Sequence, residues 1–156
     1  MSLNIPSIQK IDGSGFRIAV IASRYNEALV DSLVNHACAT VEASGAATPV
    51  IERVPGAAEL PFAAVTLAKH GSFDAIICLG VVIAGDTNHH EIIADSTATS
   101  LLDLSIAKKV PVINGVLVVN NLAQAEARVG DEINRGKEFA QAALEMAQFE
   151  KKWKKR

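Results

Sequence analysis

The run "DAIICLGVVI" at 74–83 constrains the chain most. After Asp74 it is apolar or glycine throughout, and rich in β-branched residues, with no polar alternation. A strand of that kind has no wet face. It belongs in the middle of a parallel sheet covered by helices on both sides. Helices must therefore be supplied elsewhere, in alternation with further strands, and the rest of the sequence supplies them. "FRIAVIAS" (16–23), "TPVIERV" (48–54) and "VPVINGVLVV" (110–119) read as strands. Between and after them, apolar residues recur at helical spacing over 26–45, 57–71, 89–108, 122–130 and 134–156. Asn26 is a candidate cap for the first helix and Gly45 its stop, and the second helix begins near Pro61 and ends at Gly71.

Strands alternating with helices predict parallel strands joined by right-handed crossovers. The expected fold is α/β: a flavodoxin-like three-layer α-β-α sandwich on a four-stranded parallel sheet. Residues 1–15 end in the turn signal "DGSG" and are expected at the surface, with a single domain over 16–156. The length of 156 residues suffices for one core, and 49% of the chain is apolar but only 4% aromatic. Ala, Val, Ile and Leu must fill that core.

Composition excludes several classes. A net charge of −2 gives no general attraction to nucleic acid or anionic membrane. The basic C-terminal "EKKWKKR" has no second basic patch beside it and reads as the last turns of a helix whose lysines suit the dipole. No apolar run approaches the ~20 residues of a membrane span. "MSLNIPSIQK" lacks the pattern of a signal peptide, and Cys38 and Cys78 sit in apolar contexts without metal-ligand spacing. A cytoplasmic protein with two buried thiols is the expectation. "GSG" at 13–15 precedes a strand, so it is no dinucleotide fingerprint, and no P-loop or nucleophile elbow is present.

In open parallel sheets ligands bind beyond the carboxyl ends of the strands. That rule selects "SRYN" (23–26), "VPGAAE" (54–59), "GDTNHH" (85–90) and 119–121 as the functional edge. Asn88 followed by Glu91 fits a capping box, which places Gly85, Asp86 and Thr87 at a helix N-terminus, where free N–H groups favour an anion. The Asp86 carboxylate would have to point away from a phosphate. His89 falls in the first turn, at the mouth of the site, and an imidazole there can move a proton near neutral pH; a solvated helix-start histidine is the plainer alternative. A metal site of His89, His90 and Glu91 is disfavoured, because successive helical residues do not face one point. Tyr25, the only tyrosine, can stack on a planar ring. The Pro-Gly turn exposes backbone at Ala57 and Ala58, with Glu59 in the first turn beyond. Arg128 and Arg135 are candidate phosphate partners, with a solvated surface arginine the plainer reading of each taken singly. The helix in "GAAELPFAAVTLA" carries one charge in thirteen residues and should bury more than one face, which points to association between copies.

Five stretches, "ASRYNEALVDSLV", "RVPGAAELP", "GVVIAGDTNHHEIIADS", "VPVINGVL" and "NRGKEFAQAALEMA", together resemble the lumazine synthase family over about Phe16 to Gln148. The resemblance implies a flavodoxin-like subunit assembled into pentamers, with the active site between neighbouring subunits. Whether the assembly stops at the pentamer or goes on to a 60-mer shell is left open. The short turn between Gly130 and Asn134 mildly favours the shell, and riboflavin synthase is the partner such a shell can enclose. The implied reaction joins 5-amino-6-(D-ribitylamino)uracil to 3,4-dihydroxy-2-butanone 4-phosphate, giving 6,7-dimethyl-8-ribityllumazine, the penultimate step of riboflavin biosynthesis. It needs no cofactor and no metal.

By the same resemblance, Tyr25 stacks on the pyrimidine, with Asn26 beside it among the substrate contacts. Ala57, Ala58 and Glu59 hold the ribityl chain and ring edge. Val81, Val82 and Ile83 offer backbone groups to the ring, while Asp86 and Thr87 occupy the phosphate loop. His89 shuttles protons. Arg128 binds the butanone phosphate from the adjacent subunit, and Arg135 stands for a lysine near the site. The chain departs from the family pattern at Ala84, where an arginine is usual, and at Ala58 and Asn114, where aromatics are common. These departures motivate the alternative of a non-catalytic flavin- or lumazine-binding or shell-forming paralogue.

Overall fold

The computed structural model describes residues 10–154. Four strands, β1 (Ile18–Ser23), β2 (Val50–Val54), β3 (Ala75–Ile83) and β4 (Val112–Val119), form one parallel sheet in the order β2-β1-β3-β4. The helices are α1 (Glu27–Ala43), α2 (Leu60–His70), α3 (His89–Lys108), α4 (Leu122–Val129) and α5 (Arg135–Lys154). The two central strands, β1 and β3, are buried over nearly their whole length, as their unbroken apolar sequence requires. Alternate β3 residues serve opposite cores. Ile77, Leu79 and Val81 pack with Leu33, Ala37, Ala140 and Leu144 of α1 and α5. Ile76 and Cys78 pack with Leu60, Ala64 and Leu101 of α2 and α3. The flavodoxin-like three-layer sandwich expected from the sequence is the observed architecture.

Several element ends differ from the sequence expectation, each for a local reason. β1 starts at Ile18 and not Phe16, because the Arg17 N–H donates to the Asp74 carboxylate (2.8 Å) and the Phe16 N–H to Gly13 O (2.9 Å). β4 starts at Val112 and not 110. Pro111 has no N–H to give, and Ser105 Oγ both donates to Val110 O (3.0 Å) and accepts from the Val112 N–H (3.1 Å). The helix expected within 57–71 does begin near Pro61 and stop at Gly71, and a single 3-10 turn (Ala57–Glu59) precedes it. Asn26 is left-handed (φ 56°) and makes no side-chain cap bond to α1. The Asn88 side chain likewise caps nothing, although α3 does begin just after it.

Of the N-terminal segment, residues 1–9 lie outside the described residues, as do 155 and 156. Ile11 is buried in the α1/α5 core, and the Gly13 N–H donates to Ser44 O (2.8 Å), so this stretch is fastened to the end of α1. Cys78 is buried, and desolvation pushes its thiol up to about 12. Cys38 is only partly buried. Its thiol is also raised, by desolvation first and the Glu42 carboxylate second. Among the described residues no helix is long and apolar enough to cross a membrane.

Candidate active site

At the carboxyl edge of the sheet a cavity of about 520 Å³ opens between the ends of β1, β2 and β3 and the start of α3. Its existence follows from strand lengths. β1 pairs with β3 only as far as Ala22 opposite Leu79, whereas β3 runs on to Ile83 beside β4. Beyond Leu79, one side of β3 therefore has no strand neighbour. Backbone groups alternate sides along a strand, and the Ala84 N–H donates to Val119 O (2.8 Å) on the β4 side. Val82 shares that direction. Val81 and Ile83 turn their backbone groups toward the open slot.

The slot is closed from the β1 side by Asn26. Its Nδ2 donates to Val81 O at 2.9 Å, across 55 positions of sequence. The left-handed turn that allows this leaves Tyr25 largely exposed (74%) at the cavity mouth. The tyrosine ring lies over Gly56. A Cβ at that glycine would stand 3.3 Å from the ring and 3.1 Å from the Glu59 carboxylate. Glu59 Oε2 accepts the Gly56 N–H at 2.8 Å, so the reciprocal carboxylate contact expected of Glu91 is made here instead. The buried Thr97 hydroxyl, from α3, donates to Ala57 O at 3.3 Å and holds the same turn from behind.

Gly85 and Thr87 line the opposite wall, followed by His89, His90 and Ile93. His89 is exposed. His90 is half-buried, with Nδ1 2.9 Å from Thr87 O.

The structure thus gathers Tyr25, Asn26, Ala57, Ala58, Glu59, Val81, Val82, Ile83, Thr87 and His89 around one cavity. Four other candidates do not line it. Asp86 is exposed on the loop. Asn114 sits on the edge strand opposite Cys78, with its Oδ1 accepting the Val116 N–H (3.1 Å). Arg128, in the last turn of α4, donates from Nη1 to Gln124 O (2.8 Å). Arg135 opens α5 paired with Glu138, and its buried Nε has no hydrogen-bond partner among the described residues. Ser23, Gly56 and His90 fall in the segments the sequence selects but gain no site role of their own there, and Ile93 lies outside those segments. The Thr87–His90 spacing, three apart at a helix start, was the available signal for His90.

Fold and cavity define a doubly covered α/β protein of flavodoxin type, with a cavity at the strand ends, where such folds bind ligands, and ionisable groups on its wall. A model of the 6,7-dimethyl-8-ribityllumazine synthase family matches residues 15–151, and the chain belongs to that family. Relatives of that name include the protein of Methylobacterium radiotolerans, 45% identical over 132 residues (84% of this chain, 80% of the relative). The Xanthomonas euvesicatoria protein is 46% identical over 133 residues (83% and 86%). The archaeal Thermococcus onnurineus protein is 38% identical over 140 (90% and 92%).

Proposed function

We infer that this chain is a transferase of riboflavin biosynthesis. It condenses 5-amino-6-(D-ribitylamino)uracil with 3,4-dihydroxy-2-butanone 4-phosphate to 6,7-dimethyl-8-ribityllumazine. Family membership supports the reaction, and the observation that carries it to this chain is the cavity that Tyr25, Glu59, the open edge of β3 and His89 enclose. The amine adds to the ketone, water leaves to give an imine, phosphate is eliminated, and ring closure expels a second water. No electrons enter or leave, so the balance calls for no redox cofactor.

Each wall has a task. Tyr25 covers the planar pyrimidine. Backbone groups of Val81 and Ile83 on the open side of β3, beside the Val81 carbonyl that Asn26 already occupies, meet its polar edge. The turn at Ala57, Ala58 and Glu59 faces the ribityl hydroxyls. Thr87 and the N-terminus of α3 receive the phosphate. His89 relays protons. Holding the two reactants in register supplies most of the acceleration.

Arg128, Arg135 and Asn114 lie away from their own chain's cavity, and we assign them to the cavity of an adjoining copy. The apolar residues left exposed on α2 and α3, Phe62 (77%), Ile92, Leu102 and Ile106, support such association. A homopentamer in the cytoplasm is the assembly proposed. Growth into a 60-mer and enclosure of riboflavin synthase are open to the same mass measurement. The deciding experiment mixes the two substrates and follows lumazine absorbance and fluorescence. Product formation supports the synthase. Ligand binding without product would replace it with a non-catalytic binder.

A further inference from the structure

The cavity wall carries two imidazoles, and they are held differently. Among the described residues the His89 ring makes no hydrogen bond and is exposed, whereas His90 is half-buried and anchored through Nδ1 to Thr87 O at 2.9 Å. A carbonyl oxygen can only accept. Nδ1 therefore carries the proton, and the neutral ring keeps its lone pair on Nε2. His90 lines the cavity, and with Nδ1 engaged by the loop Nε2 is the ring nitrogen left for a ligand there. The other titratable groups on that wall are Tyr25 from the β1 end, Glu59 from the 3-10 turn and His89 from α3 itself.

We propose that His90 is a second proton-transfer residue of the reaction, the base for the step that expels phosphate. This rests on the synthase reading above. In that step the C–H bond beside the imine carbon breaks, and its electron pair becomes a carbon–carbon double bond. The neighbouring C–O bond breaks in turn, and phosphate leaves with that pair. The proton passes to Nε2 of His90, and the imidazolium returns it to water. Thr87 links the two ends of the event: its hydroxyl belongs to the phosphate loop, and its carbonyl orients the base. The Nδ1–H bond to that carbonyl strengthens as the ring becomes charged, which favours the proton's arrival.

The test separates base from scaffold. His90→Asn places an amide N–H where Nδ1 stood, keeping the bond to Thr87 while removing Nε2. We expect kcat to fall by about 10-fold or more, with both KM values little changed. In His89→Ala the acid limb of the pH–rate profile should persist, and in the His89→Ala/His90→Asn double variant it should vanish. Nitrogen NMR of the wild-type protein should show the Nδ1–H tautomer at His90. Wild-type turnover by His90→Asn, or an Nε2–H tautomer, would overturn the proposal. A wild-type chain that makes no product would overturn the synthase reading along with it, whereas an active wild type with an equally active His90→Asn would remove His90 alone.

Discussion

On one face of the sheet, α1 and α5 approach so closely that a Cβ on Gly136 would lie 2.5 Å from Leu33 O and 2.9 Å from His36 Cβ. Every valine and leucine of α1 except the half-covered Leu29 is buried there. On the other face, α2 and α3 bury Leu60, Ala64 and Leu101 but leave Phe62, Ile92, Leu102 and Ile106 in the open. The first face is finished within the chain along α1, with Met146, Phe149 and Trp153 left exposed toward the end of α5. The second presents apolar surface of the kind that protein contact covers, and its α3 carries the imidazoles of the cavity. The close α1–α5 approach and the exposed apolar residues of α2 and α3 thus lie on opposite sides of one sheet.

The largest effect should come from the finished face. Gly136→Val drives two methyl groups into the α1 backbone and is expected to destabilise the chain by about 3 kcal/mol, read from denaturant unfolding. A fully stable variant would mean that α1 and α5 can separate without cost, and the contrast between the faces would dissolve. On the catalytic side, His89→Ala should leave unfolding unchanged and slow turnover by about 100-fold, the low end for a single general acid–base group. Coincident loss of stability would show that site and packing are not separable. The smallest effect belongs to the bridge between the two regions. Arg128 sits on α4, off its own cavity, so Arg128→Ala should raise the KM for the phosphorylated substrate by about 10-fold with kcat little altered. An unchanged KM would confine Arg128 to its own subunit's surface.

Much of the site was legible because it follows from the ends of strands. Once "AIICLGVVI" is read as a central parallel strand, the segments at 23–26, 54–59 and 85–90 fall together, and the cavity forms there. What sequence reasoning misassigned were the partners of individual polar groups. Asn26 looked like a helix cap, yet its amide reaches Val81 on another strand. Asn88 and Glu91 matched a capping pattern, but the reciprocal carboxylate bond forms at Glu59 with Gly56, a pair with no such signature. Local patterns report what a side chain could bond within its own helix. They carry no information about an acceptor 55 positions away that competes for it.

The sequence by itself determined the layer order, the parallel sheet and the edge at which the cavity opens, because apolar periodicity and the crossover rule leave few other arrangements. Only the tertiary structure decided that Tyr25 rests on Gly56, that β3 outruns β1 to open a slot, and that His90 is tied through Nδ1 to Thr87 O. Those features depend on distances between segments far apart in the chain, and such distances are set by packing, which no local pattern encodes.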